Sequence, residues 1–77
     1  MMITSIEHSG SGWNGAASDG GKNYLWYYWP RRSLRFQEQD EINPRAWMTV
    51  DPPHGAKPAV LKAVRLVRKQ QQGGHSQ

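Results

Sequence analysis

Hydrophobic and polar positions change period along this chain, and each change marks an element. Met1 to His8 carries Ile3 and Ile6 among threonine, serine and charged residues. That composition favours a strand, although residues three apart fall on opposite faces of an ideal one. Ser9 to Lys22, SGSGWNGAASDGGK, is built of glycine, serine and other small residues. It reads as a long surface loop whose single large apolar residue is Trp13. Asn23 to Trp29, NYLWYYW, then packs five aromatics and a leucine into seven positions. Aromatic side chains favour strands, so this ribbon is expected to form the centre of a sheet. Pro30 ends its hydrogen-bond ladder, because proline has no amide hydrogen to donate. Ser33 to Gln39 alternates as a further strand, Asn43–Pro44 marks a turn, and Ala46 to Val50 is a last strand stopped by Asp51, Pro52 and Pro53.

After Pro58 the period lengthens to that of a helix. Ala59, Val60, Ala63, Val64, Leu66 and Val67 share one arc, opposite Lys62, Arg65 and Lys69 with Arg68 beside them. Leu61 falls among the basic residues and breaks the pattern. Pro58 suits a first helical turn, and Gly73–Gly74 suits termination near Gln71. The expected fold is therefore α+β: a small antiparallel sheet of three to four strands packed by one C-terminal amphipathic helix. Residues 1–72 form the domain and 73–77 a disordered tail.

The ribbon has two sides. Tyr24, Trp26 and Tyr28 alternate with Leu25, Tyr27 and Trp29, so both faces of the strand carry bulky rings. A chain of 77 residues has little material for a layer on each face. One row is expected inside and the other open to contact a partner. Leu25 tips the assignment toward its own row as the inner one, which leaves Tyr24, Trp26 and Tyr28 outside.

Composition narrows the chemistry. Cysteine is absent, which excludes disulfides and thiolate metal sites and fits a cytoplasmic setting. No run approaches the length of a membrane span, and the N-terminus lacks a basic region followed by an apolar run, so neither a membrane anchor nor a signal peptide is expected. The formal charge is +4, and every charged side chain after Asp51 is positive. Such a bias favours acidic partners, either nucleic acid or an acidic protein surface.

Catalytic and cofactor motifs are weak. Gly10, Gly12 and Gly15 spell G-x-G-x-x-G, but the continuation GAASDGGK is poor helix material and cannot aim amides at a phosphate. Gly21–Lys22 resembles the end of a phosphate-binding loop, yet Asn23 replaces the magnesium-binding hydroxyl and Ala16 the first glycine. His8, His54 and His75 lack a second ligand at metal-binding spacing. Ser9 and Ser11 beside His8 have no third group to orient a nucleophile, and Glu38, Asp40 and Glu41 read as a solvated turn. Neither an enzyme, a cofactor nor a metal is expected.

What remains is collective: an aromatic strand edged by arginines. Trp13, Trp26, Tyr28, Arg31, Arg32 and Arg35 form the expected binding surface, with Lys62, Arg65, Arg68 and Lys69 as a secondary basic face. The first reading is a non-enzymatic protein-binding module, a small adaptor or inhibitor, since aromatics and arginine are enriched at protein interfaces. It is preferred because Glu38, Asp40 and Glu41 stand close to the arginines in the chain and because a net charge of +4 is below that expected of a dedicated nucleic-acid binder. The alternative is a nucleic-acid-binding domain that stacks a single strand on the aromatic row. A third reading is a small structural subunit whose extra rings are covered by self-association.

Overall fold

The computed structural model describes the backbone of residues 1–75 and the side chains of residues 1–70. Five strands, β1 (Met2–Ser9), β2 (Gly12–Asp19), β3 (Lys22–Trp29), β4 (Ser33–Gln39) and β5 (Trp47–Val50), precede one helix, α1 (Ala56–His75). The strands form a single antiparallel sheet in chain order. The class is α+β as expected, but the sheet has five strands rather than three to four. The addition is β2, which the sequence pattern assigned to a loop. Glycine and serine are weak strand formers alone, yet β2 is paired on both sides and needs little intrinsic preference. Two tight hairpins hold it. Gly10 at φ 60° supplies the left-handed residue of the first, and Gly20 and Gly21 at φ 58° and 83° supply both central residues of the second.

The first strand resolves the misfit of Ile3 and Ile6. Ile3 faces Ala17 and Ser5 faces Ala16, so Thr4 is an extra residue in a bulge. The one-residue slip returns Ile6 to the face that Ile3 occupies, and both pack against the core. The inner face then reads in rows across the strands: Ile3, Ala17, Tyr24; Ile6, Gly15, Trp26, Phe36, Val50; and His8, Trp13, Tyr28, Leu34. Trp26 and Phe36 are fully buried, Trp13 is 2% exposed and Tyr24 6%.

The helix covers this face. Ala56, Val60 and Val64 recur every four residues and are buried, with Val67 partly so. Leu66 sits roughly 120° around the helix from Val60 at 100° per residue and is left 52% exposed. Leu61, the exception to the apolar arc, is partly buried. Pro58 occupies the first turn as expected, but α1 starts at Ala56 and continues through Gly73 and Gly74 to His75. The stop expected at the glycine pair is therefore absent, and 76 and 77, the end of the expected tail, lie outside the described residues. No described helix is long and apolar enough to cross a membrane.

Trp26 needs a hole in the neighbouring strand, and Gly15 provides it. A β-carbon there would overlap the Ser5 carbonyl and come within 2.9 Å of Trp26 Cζ2. The indole N–H of Trp26 donates to the Ala16 carbonyl at 3.1 Å, which satisfies its polar atom inside the core. Gly15→Ala should lower unfolding free energy in urea by about 1–3 kcal/mol through overpacking. Trp26→Ala should cost about 3–5 kcal/mol through the cavity it leaves.

Tyr24 gives a second check on the inner face. Burial raises its pKa above the ordinary tyrosine value, and the 3.2 Å hydrogen bond it donates to Glu38 and that carboxylate's charge raise it further. The folded state thus holds this proton more tightly than the unfolded chain. Its contribution to stability is complete below the unfolded pKa, and is lost as pH rises through the folded one. Chemical denaturation above pH ~10 should show a smaller alkaline loss in Tyr24→Phe than in the parent protein.

Candidate functional site

The register that buries one aromatic row opens the other. Leu25, Tyr27 and Trp29 point away from α1, on a face that no element of the described chain covers, and are half-buried by their neighbours on the sheet. This reverses the expected assignment of the rows. Leu25 was a misleading guide: its cross-strand neighbours are Ala16 and Gln37, and the residues that meet the helix lie on the other side of the sheet.

The expected binding surface accordingly divides. Trp13 and Trp26 are core residues and offer no open ring in the protomer. Trp13 stacks on His8 with centroids 4.2 Å apart, and its buried N–H has no hydrogen-bond partner. Tyr28 is partly buried, packed against the core at the end of the inner face. Arg31, Arg32 and Arg35 are all exposed. Arg35 lies on the outer face directly across from Tyr27, while Arg31 and Arg32 form the turn that follows Trp29.

Tyr27 and Trp29 form the platform. Their ring planes lie within 18° of parallel, with centroids 6.3 Å apart. Trp29 reaches across β2, where Gly12 lets it approach the backbone: a β-carbon on Gly12 would meet Trp29 Nε1 at 2.9 Å. A shallow depression of about 170 Å³ beside the two rings is lined also by Ser9, Gly12, Trp13 and Asn14. The three glycines of the G-x-G-x-x-G string thus have separate tasks: Gly10 makes a turn, Gly12 admits Trp29 and Gly15 admits Trp26. Alternation identified the ring-bearing strand, but β2 offers a glycine to each row, Gly15 beside Trp26 and Gly12 beside Trp29, so only the packing of α1 chooses the inner one.

The basic face of the helix is not continuous with this platform. Because α1 packs on the inner face, Lys62, Arg65 and Lys69 lie across the sheet from Tyr27 and Trp29. Arg68 differs from them in that its guanidinium sits 5.6 Å from the Trp13 ring centroid, a cation–π contact that ties the helix to β2. Lys57, in the first turn of α1, instead joins the β3–β4 turn.

Charge separates only in part along the strands, since Arg45 shares the acidic end and Asp51 follows Val50 beside the row of Arg35. Asp19, Glu38, Asp40 and Glu41 lie at the end of the sheet that holds the β2–β3 turn and the β4–β5 loop. The ion pairs Met1–Asp19 and Lys22–Glu38 are there too. Arg31, Arg32, Arg35 and Lys57 gather at the opposite end. Glu38 and Arg32 are six residues apart in one chain segment, about 20 Å along an extended strand. Glu7 is the acid on the outer face, in the row of Asn14, Tyr27 and Arg35 and beyond β2. Among the described residues no three histidines, cysteines or acids come together as metal ligands would. The chain matches no protein-family model, no curated protein and no solved structure.

Proposed function

We propose that this protein is a non-enzymatic binding module whose ligand is a single-stranded nucleic acid, held on the open face of the sheet. The observation that carries this reading is the near-parallel Tyr27–Trp29 pair on an uncovered face, with Arg35 opposite Tyr27 and Arg31 and Arg32 beyond Trp29. Flat rings stack on any base, and cations at their margin neutralise the phosphates between bases. An antiparallel sheet with one solvated face ordinarily turns polar side chains outward. Here that side carries Leu25, Tyr27 and Trp29, half-buried, among polar Asn14, Asn23, Arg35 and Gln37. Acids beside the arginines in the chain favoured a protein partner at first. Folding moves Asp40 and Glu41 to the far end of the sheet and pairs Glu38 with Lys22, which weakens that objection. The lack of cysteine supports a cytoplasmic setting.

An adaptor or inhibitor that grips an acidic protein would use the same rings and arginines. Leu25, an aliphatic side chain beside them, favours that second reading, because it offers contact area but no stacking plane. A structural subunit would instead pair two copies through this face.

Fluorescence anisotropy with a labelled oligothymidylate separates these readings. If Arg31, Arg32 and Arg35 each neutralise one phosphate, the slope of log affinity against log salt should be about −2, at about −0.7 per phosphate for single strands. Tyr27→Ala and Trp29→Ala should each lose about 1–3 kcal/mol of binding, with a smaller loss of folding stability than Trp26→Ala. Weak binding that ignores salt would remove nucleic acid from consideration. A dimer in sedimentation that Trp29→Ala dissociates would point to self-association.

A further inference from the structure

A second feature of the basic end is a cleft of about 330 Å³ between the β3–β4 turn and the start of α1. Its wall contains Arg31, Arg32 and Lys57, the hydroxyl-bearing Tyr28 and Ser33, and no acidic residue. Among the described residues these three cations take part in neither of the ion pairs, Met1–Asp19 and Lys22–Glu38, at the far end of the sheet. We propose that this cleft is a binding site for a phosphate group, gripped by Arg31, Arg32 and Lys57.

Three observations converge on it. The first is charge without compensation: like-charged side chains held around one concavity repel each other, and an anion between them relieves that repulsion. The second is geometry. Guanidinium groups bind phosphate oxygens through paired N–H donors, and two consecutive arginines flank the cleft from one turn, opposite a lysine from another element. The third is the backbone. The Arg32 amide donates to the Trp29 carbonyl at 2.9 Å, closing a β-turn whose third residue, Arg31, has φ 65°. Glycine fits that left-handed position without cost, whereas arginine is strained there. Strain kept at a position where glycine would be easier accords with a use for the guanidinium.

The cleft adjoins the platform, because Trp29 lines both. If the open face takes a nucleic-acid strand, the phosphate is at the strand's end, and only this assignment of source rests on the function proposed above. The phosphate chemistry itself does not depend on it, since a small phosphate compound would satisfy the same three cations.

The test uses the full chain and three probes: an oligothymidylate with a terminal phosphate at either end, its twin with hydroxyl ends, and inorganic phosphate. The phosphorylated strand should bind about tenfold tighter than its twin, the factor that one charge-assisted hydrogen bond supplies. Arg31→Gly should erase this preference while the protein stays folded, because glycine suits the turn, and Lys57→Gln should reduce it. Inorganic phosphate should shift the amide resonances of Ser33 and Leu34 in the parent protein and not in Arg31→Gly. Phosphate binding without any oligonucleotide binding would keep the site and assign it to a small ligand, ending the single-strand reading. Equal affinity for the twins, together with unmoved resonances in inorganic phosphate, would overturn the site even if the oligonucleotides bind.

Discussion

Everything in this fold depends on where Trp26 is seated. Its indole fills the space left by Gly15, touches the row of Phe36 and Val50, and donates its N–H to the Ala16 carbonyl. A tryptophan brings about 150–250 Å² of surface, worth about 4–6 kcal/mol when removed from water. That is a large share of what holds a small domain together. Once Trp26 faces inward, Tyr24 and Tyr28 must follow, because alternate residues of a strand share a face. Val60 and Val64 have a flat apolar surface to cover, and Ala56 allows the helix to approach it closely.

The same choice leaves the second row of rings half-buried on the outer face. A two-sided aromatic strand asks for a layer on each side, and the described residues have one helix to give. Leu25, Tyr27 and Trp29 are therefore left without a covering element. They limit their exposure by lying on the sheet itself: Trp29 rests over Gly12 and runs nearly parallel to Tyr27. Folding thus concentrates ring surface on one side and leaves it supported rather than loose, the condition a rigid recognition platform needs.

Much of this was legible in the sequence. Period alone located β3, β4, β5 and the helix, and placed their boundaries within a few residues. Two features hid the rest. Thr4 is an inserted residue that only pairing reveals, so Ile3 and Ile6 looked misplaced until the register absorbed the slip. β2 carries its strand character in its neighbours rather than its own residues, since Gly12 and Gly15 are small for the sake of Trp29 and Trp26 on β3. The facing of the aromatic rows is hidden for a related reason. Leu25 marks hydrophobicity, while β2 lacks a β-carbon on both faces, at Gly15 beside Trp26 and at Gly12 beside Trp29. Inward direction is therefore set only when the helix packs.

Charge followed the same logic of placement over proximity. Reading along the chain, Glu38, Asp40 and Glu41 seem to neutralise Arg31, Arg32 and Arg35. An extended strand instead acts as a spacer that carries the two sets to opposite ends of the sheet. The return of the chain from β5 then brings Lys57 to the arginine end, which deepens the asymmetry. A modest net charge of +4 can in this way support a concentrated positive field at one end of the molecule. The open rings of β3 run toward that end, so a ligand lying along them would have its anionic groups drawn in one direction. Stacking without orientation is the property of the rings alone; direction along the sheet comes from the segregation of charge that the meander imposes.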